Sequence, residues 1–193
     1  NNAGIFLGGP LEFTSIDEMR KLFDVNFFGA VAVTQALISL LRTPPGRIVN
    51  ISSASGLVAL PFLGPYAASK FALEAISDAW RVELRPWQIQ VSLVEPGLVE
   101  TPILDKVKAT FRKARESYPP EAEELYGPVL GMSEKESRRG MPVERVVKTV
   151  EHALLARRSK PRYLVGTRPL STIRKLPTRL CDRLIASHFP KYG

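Results

Sequence analysis

Apolar positions along this chain fall into two long stretches of helical spacing, separated by short β-branched runs. Ser15-Ile-Asp-Glu18 fits a capping box, and the residues that follow, to Leu41, predict a helix over 15–41. Its second half (Phe27, Phe28, Ala30, Val31, Val33, Ala36, Leu37, Leu40) is apolar on more than one face, which predicts burial on both sides. Asn26 interrupts this run, and a polar amide in such a place must find partners, a backbone carbonyl being the plainest one. Pro44-Pro45-Gly46 closes the connection, and Arg47 to Ile51 reads as a short buried strand. A second helix is predicted over 64–85, with Pro86 stopping it. Ala67, Ala68, Phe71, Ala72, Leu73, Ala75, Ile76, Ala79 and Trp80 again cover more than one face, one for a sheet and another for a partner subunit. Ile89 to Val94 is the next strand, turned at its carboxyl end by Glu95-Pro96-Gly97.

Strand, helix, strand in this order implies parallel pairing through a right-handed crossover, and so an α/β fold. Ligands in such sheets bind beyond the carboxyl ends of the strands. Residues 102–140 differ in kind, being rich in charge, Pro and Gly, with Met132 inside the stretch and Met141 just beyond. They read either as a lid over substrate or as a loosely ordered surface excursion. Helix resumes over 142–156, with Pro142 suited to its first turn, and 162–166 reads as a last strand. Leu170, Ile173, Leu176, Leu180, Leu184 and Ile185 then predict an amphipathic basic helix broken near Pro177.

Composition narrows the picture. With 193 residues the chain is long enough for one domain with a sizeable core, and its single cysteine, Cys181, permits no internal disulfide. A reducing, cytoplasmic setting is therefore expected. His152 and His188 lie far apart without partners at ligand spacing, so no metal is expected. No apolar run reaches the roughly 18 residues expected of a membrane span, and no signal peptide is visible. The net charge of +8 is uneven: from Arg157 to the C-terminus ten basic residues face Asp182 alone, leaving the remainder at −1. Such a tail, 167–193 above all, can attract anionic lipid in a peripheral membrane contact, nucleic acid or an acidic partner, or be a solvated face whose stems cover apolar neighbours. The last reading is favoured, and nucleic acid is not expected as a partner.

The candidate chemistry is Tyr66-Ala-Ala-Ser-Lys70, with Ser53 lying 13 residues upstream at the end of a strand. A Tyr and a Lys four apart on a helix share one face. An ammonium beside a phenol favours the phenolate, so the Tyr66 pKa is expected to fall from about 10. Tyr66 is then a candidate general acid/base, and Ser53 a hydroxyl for the reacting oxygen. A lone YxxxK is more often a surface Tyr beside a solvated Lys.

Its company decides the matter. The chain opens Asn1-Asn2-Ala3-Gly4, and carries Asn26, Ile48-Val49-Asn50-Ile51-Ser52-Ser53-Ala54-Ser55-Gly56, the Tyr66/Lys70 pair and Glu95-Pro96-Gly97-Leu98-Val99-Glu100-Thr101. In that order and spacing the set resembles the short-chain dehydrogenase/reductase family, unbroken from residue 1 to about 105 and more loosely to about 166. Phe71-Ala72-Leu73-Glu74, Ser77-Asp78 and Val91 to Gly97 are similar to retinol and hydroxysteroid dehydrogenases. The resemblance implies a Rossmann-type doubly wound parallel sheet and an NAD(P)-dependent oxidoreductase that interconverts a secondary alcohol and a carbonyl. It implies that Tyr66 is the acid/base, that Lys70 also holds the nicotinamide ribose hydroxyls, and that Ser53 binds the substrate oxygen. Asn26 would hold a water in a proton relay, at a helix kink. Asn2, Ala3 and Gly4 would line the adenosine side of the cofactor, and Pro96, Gly97, Val99 and Thr101 would flank the nicotinamide. Pairing of helices 15–41 and 64–85 between two copies would make a homo-oligomer. Apolar residues of the lid (Ile103, Leu104, Val107, Phe111, Leu125, Val129, Leu130) suggest a hydrophobic alcohol or ketone.

The family's Gly-rich phosphate-binding turn has no counterpart here, since no GxxxGxG occurs. The expectation is that the first βαβαβ half, on the order of 70 to 90 residues, lies outside this sequence. NAD and NADP therefore cannot be told apart, and strand 47–51 is expected to present an exposed apolar edge. A truncated, catalytically incompetent form acting as a dimerisation module is the alternative. Hydrolysis with Ser53 as nucleophile is weak, because no GxSxG surrounds it.

Overall fold

The structure, a computed structural model, describes residues 1–42, 46–101, 103–130 and 140–189. Pro44, Pro45, Met132 and Lys191 lie outside the described residues, as do the side chains of Ile103, Leu104, Val107 and Val129. Three parallel strands, β1 (Arg47–Ile51), β2 (Gln90–Pro96) and β3 (Arg162–Val165), form a sheet in the order β1-β2-β3. Ile48 sits opposite Val91, and Leu93 opposite Arg162.

Both faces of the sheet are covered. On one, Ile48 and Val91 pack with Trp80, Leu84 and Ile89, joined by Val31, Ile38, Leu41 and Ile76 from α2 (Gly29–Leu41) and α3 (Gly64–Glu83). On the other, Val49, Val94, Tyr163 and Val165 pack against Ala153, Val146 and Val150 of α6 (Val143–Leu155). Continuous apolar strands with helices on both faces are what a parallel sheet demands. α3 ends at Glu83, two residues short of the expected 85, and Pro86 sits in a following 3₁₀ turn, Arg85–Trp87. Pro142 caps α6 from outside it.

The expected helix over 15–41 is continuous, but its winding changes midway. α1 (Ile16–Phe23) is capped by Ser15, whose hydroxyl accepts from Asp17 N at 3.2 Å. A π-helical turn follows over Asp24–Phe28, then α2. Burial on both sides is not realised: α2 buries Ala30 and Thr34, while Phe28, Val33, Leu37 and Leu40 are exposed. One face meets the sheet, and the other is exposed among the described residues. Ile16–Leu41 taken together is also long and apolar enough to cross a membrane, contrary to the sequence-based expectation. Its buried Leu22, Asn26 and Thr34 seat it on the domain instead.

The outer edge of β1 is likewise not the bare strip expected. Asn1 pairs there: its N donates to Val49 O and its O accepts from Ile51 N, both at 2.9 Å. The Asn1 amide also donates to Asn50 Oδ1 at 2.7 Å and Thr34 Oγ1 at 3.1 Å. Residues 102–140 are not a loose excursion over their described part, which folds into α4 (Ile103–Ser117) and α5 (Pro120–Leu130). The C-terminal stretch forms α7 (Arg168–Ile173) and α8 (Thr178–Ala186), with Pro177 at the break.

Candidate active site

Ser53, Tyr66 and Lys70 meet where β1 ends and α3 begins. β1 stops at Ile51, and Ser53 caps a short 3₁₀ turn, Ala54–Gly56, its Oγ accepting from Ser55 N at 3.1 Å. Pro65 in the first turn of α3 starts that helix, which places Tyr66 near its N-terminus and Lys70 one turn on. The Ser53 side chain lies near enough to the Tyr66 phenol to lower its pKa. Lys70 is buried, and its Nζ donates to Ile51 O at 3.0 Å and lies 5.8 Å from the centre of the Tyr66 ring.

The expected fall of the Tyr66 pKa is not found. Burial pushes the phenol above its ordinary value, and the nearby Ser53 side chain opposes that only in part. The Lys70 ammonium, 5.8 Å from the ring centre, does not offset that desolvation. Lys70 itself is lowered to about 8 by burial, with the charge of Glu74 acting the other way.

Asn26 lies in the π-helical turn, fully buried, and faces the chain's first segment. Its Oδ1 accepts from Ile5 N at 2.8 Å, and its Nδ2 donates to Ile5 O at 3.0 Å and Ser69 Oγ at 3.1 Å. Ser69 Oγ in turn donates to Tyr66 O at 2.8 Å. Asn26 thus ties the N-terminal segment to the helix that carries the site. Ser69 was missed by sequence reasoning, although it sits inside the Tyr66–Lys70 motif.

Asn2, Ala3 and Gly4 are exposed. A Cβ placed on Gly4 would lie 3.5 Å from Asn26 Oδ1 and 3.8 Å from Lys70 Nζ, so the backbone there passes close to the site. Pro96 ends β2 buried, and Gly97 N donates to Val165 O at 2.9 Å. Val99 bridges Met141, and Thr101 is half-buried. The structure therefore brings Asn26, Ser53, Tyr66, Lys70 and Gly4 together at the carboxyl end of β1, with Pro96 and Gly97 at the end of its neighbour.

An aromatic wall rises beside them. The ring of Phe6 stands 5.1 Å from that of Tyr66 and 5.6 Å from that of Phe111, which α4 supplies. Phe62, strained at φ 65°, stacks with Tyr126 of α5 and Phe189 beyond α8, both at 6.0 Å. Phe6, Phe62 and Phe189 carried no sequence signal, because single aromatics outside periodic elements look like any surface residue.

Lys70 offers a test of whether a nicotinamide cofactor fits. Its buried ammonium has three donors, and Ile51 O is the one acceptor it meets among the described residues. Spare donors on a buried cation beside Gly4 suit a pair of ribose hydroxyls. Among the described residues no group of His, Cys, Asp or Glu is set to hold a metal.

A doubly wound parallel sheet with a Ser, Tyr and Lys at its carboxyl end defines a dinucleotide-dependent oxidoreductase class. Residues 1–111 match the family model for short chain dehydrogenases. The chain is 34% identical over 203 residues to the NADPH-dependent 3-dehydrocapnine reductase of Ornithobacterium rhinotracheale, covering 99% of this chain and 69% of that protein. It is 37% identical over 176 residues to mouse retinol dehydrogenase 5, covering 86% of this chain and 55% of that protein. A short-chain dehydrogenase from Streptomyces avermitilis superposes with a TM-score of 0.69 at 25% identity, over 96% of this chain and 65% of that one. The chain belongs to the short-chain dehydrogenase family, and it spans between about half and two thirds of the length of these relatives.

Proposed function

We propose that this chain carries the catalytic side of an NAD- or NADP-dependent oxidoreductase that interconverts a secondary alcohol and a carbonyl. The observation that carries this is the convergence of Ser53, Tyr66 and Lys70 at the carboxyl end of the sheet, with the buried Lys70 ammonium held by Ile51 O beside the Tyr66 ring. The bound nicotinamide supplies hydride transfer to or from the substrate carbon. The residues present handle the proton. In reduction the Tyr66 hydroxyl gives its proton to the substrate oxygen, and in oxidation the phenolate takes it. Ser53 donates a hydrogen bond to that oxygen and fixes it beside Tyr66. Lys70 holds the ribose hydroxyls, and its positive charge favours the phenolate once its spare donors are engaged. Asn26 anchors the segment against which Lys70 stands, and a water held by its amide in a proton relay is part of this reading.

A hydrophobic alcohol or ketone is the substrate class best supported, because Phe6 stands against Tyr66 and Phe111 against Phe6. A relative named as a retinol dehydrogenase fits that reading. The test is Tyr66→Phe in the cofactor-loaded enzyme. Turnover of a hydrophobic ketone should fall by about 10²- to 10⁴-fold with cofactor binding unchanged; retained turnover would remove Tyr66 from the role.

Two copies pairing through their long helices is the assembly we propose, supported by exposed Phe28, Val33, Leu37 and Leu40 on α2 and Phe71 and Val82 on α3. Sedimentation of Leu37→Asp against the parent chain tests it, a shift toward monomer being expected. On α8, exposed Leu180 and Leu184 beside Arg179 and Arg183 support a peripheral contact with the anionic cytoplasmic leaflet. Co-sedimentation with phosphatidylserine vesicles checks this, and binding should be lost in Arg179→Glu/Arg183→Glu.

A further inference from the structure

Glu74, Asp78 and Arg81 on α3, Glu95 on β2 and Arg162 on β3 converge just behind the site. Arg162 organises them. Its Nη1 donates to Glu74 Oε2 and to Glu95 Oε1, the latter at 2.7 Å, and its Nη2 donates to Asp78 Oδ2 at 2.6 Å. Arg81 closes the far side, donating from Nη1 to Asp78 Oδ1 at 2.6 Å. Glu95 is fully buried and Glu74 nearly so. The place matters because Glu74 lies one helical turn after Lys70, while Glu95 immediately precedes Pro96-Gly97.

Three carboxylates meet two guanidiniums and the Lys70 ammonium here, with Glu74 and Glu95 buried and Asp78 half exposed. Two carboxylates held by one guanidinium nitrogen also repel each other, and such pairs relieve the repulsion by binding a proton. Three buried oxygens, Glu74 Oε1, Glu95 Oε2 and Ser52 Oγ, have no hydrogen-bond partner among the described residues. Gly56 backs onto the same spot: a Cβ there would lie 2.6 Å from Ser52 Oγ and 3.1 Å from Glu74 Oε1. A proton on the pair relieves that repulsion and supplies a donor to one of the orphaned oxygens. Burial, and then the charge of Glu74, push Glu95 up to about 7 in spite of Arg162. Asp78 goes the other way, held below the ordinary carboxylate range by Arg81 and Arg162 although burial opposes this.

We infer that the Glu74–Glu95 pair holds one proton at neutral pH, carried on Glu95, and that the Glu74 carboxylate is the counter-charge that keeps Lys70 an ammonium. The charged groups facing the pair are Lys70, Asp78 and Arg81 from α3 and Arg162 from β3, with the neutral Ser52 hydroxyl from the end of β1. The meaning for catalysis rests on the oxidoreductase reading above; the shared proton does not. In that reading Glu74 and Glu95 are positioning residues, acting through Lys70.

The infrared spectrum of the wild-type chain tests the proton. The pair should show a protonated carboxyl C=O band at pH 6 that is lost toward pH 9 and absent in Glu95→Gln. Thermal unfolding gives a second readout. The folded pair binds its proton more tightly than the unfolded chain does, so stability from this source falls as pH rises from about 4.5 through 7. Within that window the unfolding constant should rise by up to about tenfold per pH unit. Glu95→Gln, neutral and equal in size, should flatten the profile. The Lys70 ammonium, followed by its side-chain NMR signal, should titrate lower in Glu74→Gln than in the wild type. Absence of the band, parallel stability profiles, or a Lys70 titration unmoved by Glu74→Gln would overturn the inference. None of these readouts involves turnover, so their failure would leave the assignment of Tyr66 standing.

Discussion

Asn26 grips both peptide groups of Ile5, accepting from its N–H at 2.8 Å and donating to its C=O at 3.0 Å. This is the pairing a neighbouring strand would give, supplied by one side chain from a helix. The π-helical turn makes it possible, because one extra residue in the winding swings Asn26 inward from an otherwise apolar face. Replacing Asn26 by Ala strands two backbone groups. We expect a loss of about 2 to 5 kcal/mol in urea unfolding, with the segment before Phe6 becoming accessible to protease. Asn26→Asp should be nearly as damaging, since it removes the donor that Ile5 O and Ser69 require.

Lys70 gives a pH dependence of definite sign. Its folded value, about 8, lies below the ordinary 10.5, so the folded chain resists holding this proton. The burden is full below pH 8 and lifts as pH rises to about 10.5, so Lys70 alone makes the fold firmer with alkalinity. Lys70→Met should remove that rise between pH 8 and 10, read from thermal midpoints across the range, while leaving Ile51 O without its donor.

Leu93 has no solvent exposure at the centre of β2, with the sheet's other two strands on either side. Leu93→Ala should destabilise by about 2 to 5 kcal/mol, because the flanking strands cannot close the gap. A change under 1 kcal/mol by calorimetry would mean the core around it is loose.

Phe111 touches Phe6, which touches Tyr66. Phe111→Ala should raise KM for a hydrophobic ketone by about tenfold or more, the scale of one buried ring, and change a small ketone such as acetoin little. Equal effects on both would assign the ring to packing of α4 rather than to substrate.

Much of this was legible in the chain. β1 falls at its expected bounds because Ile48, Val49 and Ile51, three β-branched residues in five between a Pro-Gly turn and a Ser-rich one, admit little else. Ser53, Tyr66 and Lys70 lie near one another, since a helix starting at Gly64 leaves Tyr66 near the end of β1. The protonation of Tyr66 was not legible: spacing predicts that Lys70 shares its face, but not whether burial outweighs the charge. The role of Glu74, Asp78, Glu95 and Arg162 was hidden for a similar reason. Each looks like a surface charge on its own element, and only the β3 register carries Arg162 to the other three.

The outward face of α2 bears on how stability is measured. Phe28, Val33, Leu37 and Leu40 stand open to water in one chain. If a second copy covers them, folding and association become one equilibrium, and the melting temperature has no single value. It rises with protein concentration, and a dilute sample melts early even though every bond within the chain is intact.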